Sequence, residues 1–399
     1  MFLDRIGAFF TKKSNGKTEQ NGYYGTVAAR YGTMSRILLV LLTFLVIITL
    51  LFFNDWISYD NFYYFFSDFG GYLTSADLGI ENVLYDTGDF YDFGLFGGKL
   101  AVAGRNGVTL YTQSGRAAFS DNSISSKPML ETSEKYMIAY NSGAEKFVVY
   151  NTFTDVYTGD TGFPIYGASV ADNGNFAVIT EDGKHISCVK VYNRSFKEIL
   201  SIGRASYVTD VSLSPSGDRI AVLSYAEENG NIETRLYLSK TSTTSSYGDI
   251  KISGAFPLYC AVTEKGFAIV VCDDRVVAYN TKGELVNEFK YPDGAYLVDA
   301  DAGRYGASII LAKNGEKTLV SFDNKGVEVY NKTTDNGAST LKRYKDFTFE
   351  FTGEKIIRTE IYSGSVKTLE FKHNICDMLA IDDSNLLICL SSRVIKTEF

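Results

Sequence analysis

The feature that most constrains the fold is a recurrence. Short apolar runs that read as strands begin at Lys99 (KLAVAGR), Lys135 (KYMIAYN), Asn175 (NFAVITED), Arg219 (RIAVLSY), Gly266 (GFAIVVCD), Tyr305 (YGASIILAK), Glu354 (EKIIRTE) and Asn385 (NLLICLSS). Their starts lie 36, 40, 44, 47, 39, 49 and 31 residues apart. A unit of about forty residues made of short strands is the signature of a β-propeller, whose blades bury their apolar faces against one another. Each run follows a turn such as ADNG, SPSG, TEKG or IDDS, as the inner hairpin of a blade requires. With 28 Tyr, 28 Phe and 36 Gly but only 5 Pro, the composition supplies the strand formers and turn residues such a body needs.

The next strand ends alike in several units: FVVYN at Asn151, VKVYN at Asn193, VVAYN at Asn280 and VEVYN at Asn331, with LYTQSG at Tyr111 as a variant. Asparagine there suits a tight turn. Eight runs predict an all-β propeller of eight blades over residues 81–399. The last unit, from Ile375 to Phe399, offers only three strands, and its fourth is expected from ENVLYD at Glu81 to Asp86. That pairing joins the ends of the ring and removes an open sheet edge. Seven blades is the alternative, if the polar stretches Thr241 to Asp249 or Thr333 to Thr340 belong to a misread unit.

The second constraint is Ile37 to Phe53, seventeen residues without a charge. As a helix it would cover about 25 Å, just short of a hydrocarbon core of roughly 30 Å. It predicts one transmembrane α-helix ahead of the propeller, with Ile37, Leu41, Phe44, Ile48 and Phe53 in the span. Residues 1–36 carry six Lys and Arg, among them Arg30 and Arg36, while the first base after the run is Lys99. The positive-inside rule then makes residues 1–36 a short cytoplasmic tail, with 14–33 as a flexible linker, and puts the rest outside. The expectation is a single-pass cell-membrane protein with the lipid bilayer as one partner. A cleaved signal peptide is the rival reading; the long basic region and the lack of a small-x-small site after Phe53 argue against it. Residues 54–80 form an aromatic juxtamembrane segment in which Trp56, Tyr59, Tyr63 and Phe66 follow helical spacing, for the membrane surface, for packing under the main domain or for a partner.

The net charge of −8 divides into +4 for residues 1–36, −4 for 37–80 and −8 for 81–399. An acidic body offers no footprint for nucleic acid, so no nucleic-acid partner is expected. The five cysteines, Cys188, Cys260, Cys272, Cys376 and Cys389, lie in apolar runs with no disulfide spacing and are expected to be buried thiols. If TEKG is a turn, Val262 faces Phe267 and Cys260 faces Ile269, so Cys260 and Cys272 are not cross-strand partners. Unpaired thiols in an exported domain suit a bacterial cell surface.

At these residues the chain resembles known propeller families. VSLSPSGDRIAV, from Val211 to Val222, is similar to the hairpin of the WD40-like repeats of TolB-type proteins, with Ser216 where that motif usually has aspartate. VVAYNTKGEL, from Val276 to Leu285, is similar to the strand and turn of quinoprotein-like propellers. The layout as a whole resembles an uncharacterised family of single-pass membrane-anchored bacterial proteins. These resemblances imply the fold and say little about activity.

The sequence carries few residues in patterns that point to chemistry. His185 and His373 are the only histidines, and neither belongs to a metal-binding or nucleophile pattern. No phosphate loop and no C-x-x-C is present. Quinoprotein propellers stack their cofactor on tryptophan, whereas Trp56 is the only tryptophan here, so no cofactor is expected. Asp299 and Asp301 have the spacing of the start of a calcium loop without the later carboxylates, and read as a turn, as do Asp273-Asp274 and Asp382-Asp383. No metal and no catalytic residue is assigned, and no enzyme is expected. Two functions remain: a membrane-anchored extracytoplasmic scaffold for protein interaction or envelope assembly, acting through the propeller loops, or a ligand sensor or hydrolase with its site at the propeller axis.

Overall fold

The computed structural model describes residues 22–52, 81–85, 92–112, 115–152, 154–242 and 246–399. The chain divides into two compact units, Met1–Ala76 and Asp77–Phe399.

In the first unit the described element is helix α1 (Gly22–Phe52). It starts earlier than the apolar run, so residues 22–33, expected as linker, are helical; Ala28 and Ala29 favour this. Ile37, Leu41, Phe44 and Ile48 all lie on it with exposed side chains, and Arg36 is exposed beside them. Arg30 falls within the helix. Phe53, Trp56, Tyr59, Tyr63 and Phe66 lie outside the described residues. The expected membrane localisation is corrected: among the described residues no helix is long and apolar enough to cross a membrane.

In the second unit the described residues form thirty-two strands in eight four-stranded antiparallel sheets. Seven sheets use four consecutive strands, and each forms one blade with its first strand innermost. The eighth is closed by strand β1 (Glu81–Leu84), which pairs with β32 (Arg393–Glu398) outside β31 (Asn385–Cys389) and β30 (Asp377–Ala380). This is the eight-bladed closure expected from ENVLYD. The apolar runs were legible because middle strands are buried on both faces between neighbouring blades. β11 (Phe176–Thr180) and β19 (Ala268–Cys272) are buried at every position, whereas the outermost β5 (Ala117–Asp121) is mostly exposed.

Two assignments change. The middle strand equivalent to the other runs in the seventh blade is β27 (Phe347–Phe351), and EKIIRTE is the following strand β28 (Lys355–Glu360). Starting that run at Phe347 turns the uneven intervals of 49 and 31 into 42 and 38. VEVYN lies on the outer strand β25 (Glu328–Thr334), where Asn331 opposes Val320. The turn residue of that blade is Asp323, whose Oδ1 accepts from the N–H groups of Lys325 and Val327, both at 2.9 Å. Asn193 and Asn280 cap their turns in the same way.

The cysteines are unpaired, and Cys188, Cys260, Cys272 and Cys389 are buried. Cys376, expected to be buried, is exposed. The Cys260 register is one residue further on than expected, with Val262 opposite Ala268 and Cys260 opposite Val270. The cause is a wider turn, in which Thr263 N–H bonds the Phe267 carbonyl at 2.8 Å. Cys272 faces Pro257, so the two cysteines are indeed not cross-strand partners.

Ring closure rests on Val83, 3% exposed and packed with Leu387, Cys389 and Val394. Val83→Asp buries an unpartnered carboxylate and is expected to cost about 3 kcal/mol or more, read as a lowered melting temperature with early proteolysis near β1. Leu84→Asp, at a position 72% exposed, is expected to stay within about 0.5 kcal/mol of wild type.

Candidate interaction face around the propeller axis

The innermost strands are β2 (Asp92–Phe96), β6 (Pro128–Thr132), β10 (Gly167–Val170), β14 (Tyr207–Leu213), β18 (Pro257–Val262), β22 (Tyr296–Gly303), β26 (Thr340–Tyr344) and β30. Strand alternation sends every second side chain toward the axis. One device recurs on these strands. Asp92, Asp210, Asp299 and Asp377 each accept, through Oδ1, the N–H of the following residue at 2.8 or 2.9 Å. The other oxygen reaches the next blade: Asp92 Oδ2 accepts from Leu130 N, Asp210 Oδ2 from Cys260 N and Asp299 Oδ2 from Leu341 N, each at 2.7 Å.

A second tier lies two residues further along. Asp301 Oδ2 accepts from Arg343 N at 2.6 Å, Ser212 Oγ from Val262 N at 2.9 Å and Ser169 Oγ from Leu213 N at 3.0 Å. By the same register Glu131 and Lys342 belong to this tier. Bulges just before Asp210 and Asp299 re-aim those carboxylates toward the lumen. Asp299 and Asp301, read from sequence as turn residues, are thus lumen residues of β22. Asp273-Asp274 and Asp382-Asp383 do lie at turns.

The lumen therefore holds Asp92, Glu131, Asp210, Asp299, Asp301 and Asp377 against Lys342, which sits 3.3 Å from Asp377 Oδ1. Enclosure by protein pushes Asp92 and Asp210 up to about 6, against the backbone N–H bonds each accepts. Glu131 is pushed up to about 8 by the same desolvation, reinforced by Asp210 and Asp92 and opposed by Lys342. Its carboxylate keeps access to lumen water while protein surrounds it. Desolvation acts against the charge of Lys342 too, but Asp301, Asp377 and Asp299 outweigh it and raise that ammonium above its ordinary value.

One end of the lumen is bolted. Arg304, in the turn after β22, reaches across the axis: its Nη1 bonds Glu134 Oε1 and its Nη2 bonds Asp172 Oδ2, both at 2.5 Å, on the second and third blades. Tyr305 lies under the guanidinium, 5.8 Å from its carbon to the ring centre, and meets Tyr344 edge-on. The opposite end is rimmed by exposed apolar side chains, Tyr166, Ile186, Tyr207, Ile232 and Tyr296, with Met129 and Tyr259 exposed on the inner strands. Tyr207 stacks on Tyr225, which meets Phe256 at 5.2 Å.

None of these residues was among the sequence-based site candidates, which all fall in residues 30–66. The available signal was the inner-strand aspartate, visible only once strand order is known. His185 bonds Asp182 at 2.7 Å in an exposed turn, and His373 meets the Phe371 ring. Among the described residues no group of three or more His, Cys, Asp or Glu is arranged to hold a metal ion.

Eight blades around a lumen with one bolted end and one aromatic mouth define the class as an eight-bladed β-propeller of WD40-like architecture. The chain belongs to the Family of unknown function (DUF5711), which matches it over residues 80–397. No curated protein matches it. Among solved structures it is similar to BamB from Moraxella catarrhalis, with 9% identity, a TM-score of 0.54 and coverage of 80% of this chain and 98% of that one. It is also similar to the WD40 domain of SCAP from fission yeast, with 9% identity, a TM-score of 0.51 and coverage of 80% and 94%. A eukaryotic initiation factor follows, with 14% identity, a TM-score of 0.50 and coverage of 77% and 83%. At these identities the likeness is one of fold.

Glu131 gives the lumen a pH signature. A carboxyl raised from 4.5 to about 8 on folding keeps its proton in the native state where the unfolded chain has lost it, so stability falls as pH rises through that window and is level above it. Glu131→Gln removes this dependence. In thermal melts the variant is expected to match wild type near pH 4 and to melt higher by pH 8 to 9; a gap that is largest at acid pH would contradict the assignment.

Proposed function

We propose that the protein is a non-catalytic interaction scaffold whose aromatic-rimmed mouth receives a protein partner, with lysine or arginine side chains of that partner entering the acidic lumen. The observation that carries this reading is the imbalance of six lumen carboxylates against one lysine in a lumen crossed at one end by the Arg304 ion pairs. A cation entering there meets carboxylates already partly stripped of water, where Coulomb attraction is stronger than at an open surface. The tyrosines at the rim add apolar area with a polar tip, a composition common at binding surfaces.

A hydrolase with its site at the axis is the second reading, and Glu131 is what favours it, since a carboxyl near 8 suits a general acid. Against it, Asp92, Asp210, Asp299 and Asp301 are committed as acceptors of backbone N–H groups from the next blade. Such groups hold strands together and are poorly placed to exchange protons with a substrate.

The test uses the full chain and fluorescently labelled peptides, one alternating lysine with glycine and one alternating glutamate with glycine. At about pH 9, where Glu131 is ionised and lysine keeps its charge, the lysine peptide is expected to bind with an affinity that falls as salt rises, and to be weakened severalfold by Glu131→Gln and by Tyr207→Ser with Tyr296→Ser. Tyr362→Ser, on the other end of the ring, is expected to change nothing. Equal binding of the two peptides, or of neither, would sink the proposal.

A further inference from the structure

The seam between the sixth and seventh blades differs from the other seven. Its buried apolar cluster is Ile310, Leu319, Ala338 and Leu341, whereas the seam between the fourth and fifth blades buries thirteen residues. The face of the seventh blade turned toward the sixth places Thr348, Glu350 and Thr359 at core positions, exposed by 0, 0 and 2%. A cavity of about 240 Å³ opens there, between Leu319, Tyr330 and Thr334 on one side and Glu350, Ile357 and Val366 on the other. That volume is far beyond the roughly 30 Å³ one water occupies.

Glu350 is the unusual member. Its Oε2 accepts from Thr334 Oγ1 at 2.6 Å, while its Oε1 is buried with no hydrogen-bond partner. A buried carboxylate oxygen left in this state costs free energy until a donor meets it. The only other charged group lining the cavity is Asp335, itself held by Lys355 at 2.7 Å. The walls are otherwise aliphatic, hydroxyl and one tyrosine ring.

The geometry points to a binding site for a small organic cation, a primary ammonium on a short alkyl chain, whose N–H groups meet Glu350 Oε1 while the chain lies against Leu319, Ile357 and Val366. The site is separate from the axial lumen and does not depend on the scaffold reading. A protonated amine supplies the donors the carboxylate lacks and brings the charge that lets it ionise in a buried place. Desolvation holds the empty Glu350 up at about 7, with the Thr334 bond opposing and Asp335 adding to the rise. Of the neighbouring groups, Asp335 is kept below the usual carboxylate range by Lys355, Lys355 is raised by Asp335, and burial raises Tyr330. Lys317 donates to the Ala338 carbonyl at 2.5 Å and Lys332 lies over the Tyr330 ring. Glu350 is thus the group whose charge changes near neutrality.

The full chain is titrated with n-butylammonium chloride at about pH 8 by calorimetry, with n-butanol as the uncharged match. Saturable ammonium binding is expected, weaker by about tenfold or more in Glu350→Gln, as for a hydrogen bond to a charged group, and similarly weaker at about pH 5.5 in the wild type. Val366→Trp, at an exposed position of the mouth, leaves the core intact and is expected to block binding as well, so the result does not rest on one buried substitution. Butanol binding as tightly as butylammonium, ammonium binding unchanged in both variants, or no saturation in the wild type would each overturn the assignment.

Discussion

The ring is held at its centre by carboxylates that accept backbone N–H groups from the neighbouring blade. Asp92, Asp210 and Asp299 each hold their own strand through one oxygen and the next blade through the other. An inner strand has a sheet partner on one side only, and its free N–H groups would otherwise face the lumen. The aspartates satisfy them and fix the blade-to-blade register in the same contact. The acidity of the lumen follows from this, because the groups that staple the ring are the groups that line it. Lys342 and the Arg304 bolt are the compensation the fold supplies, the first within the lumen and the second at the end that Arg304 bridges.

Away from the axis the blades are held by apolar packing, and the seams are unequal. Phe349 and Phe351 turn to the eighth blade and pack with Met378, Leu386 and Ile388. The alternate positions of the same strand turn to the sixth blade and carry Thr348 and Glu350. Arg343 fills part of that polar seam, donating to the Ala307 and Phe322 carbonyls, and burial depresses its guanidinium to about 10. Strand alternation thus gives one blade an aromatic side and a hydrogen-bonding side.

The blade count and the closure by ENVLYD were readable because a strand buried on both faces is an unbroken apolar run, and such runs are hard to hide in a sequence. The seventh blade misled because FTFEF alternates phenylalanine with Thr348 and Glu350, so its middle strand looks half-exposed while EKIIRTE looks like core. The lumen was not readable because Asp92, Asp210, Asp299 and Asp377 become equivalent only through hydrogen bonds across blades, and two of them depend on bulges that shift the pairing by one residue. The run at Ile37 reads as a span by apolar length alone, whereas among the described residues no helix is long and apolar enough to cross a membrane.

The pairing of β1 with β32 has a consequence for how the ring forms. These strands are about three hundred residues apart in sequence, so the first strand made must wait, unpaired, until the final one exists. Closing so long a loop costs only a few kcal/mol in chain entropy, since that cost grows with the logarithm of length. Topology this non-local nonetheless slows folding. From the time β32 forms until β1 docks on it, β32 presents a bare edge that a foreign strand of the same pattern can occupy, so the assembling ring has to be completed by its own beginning before a neighbouring chain supplies a substitute.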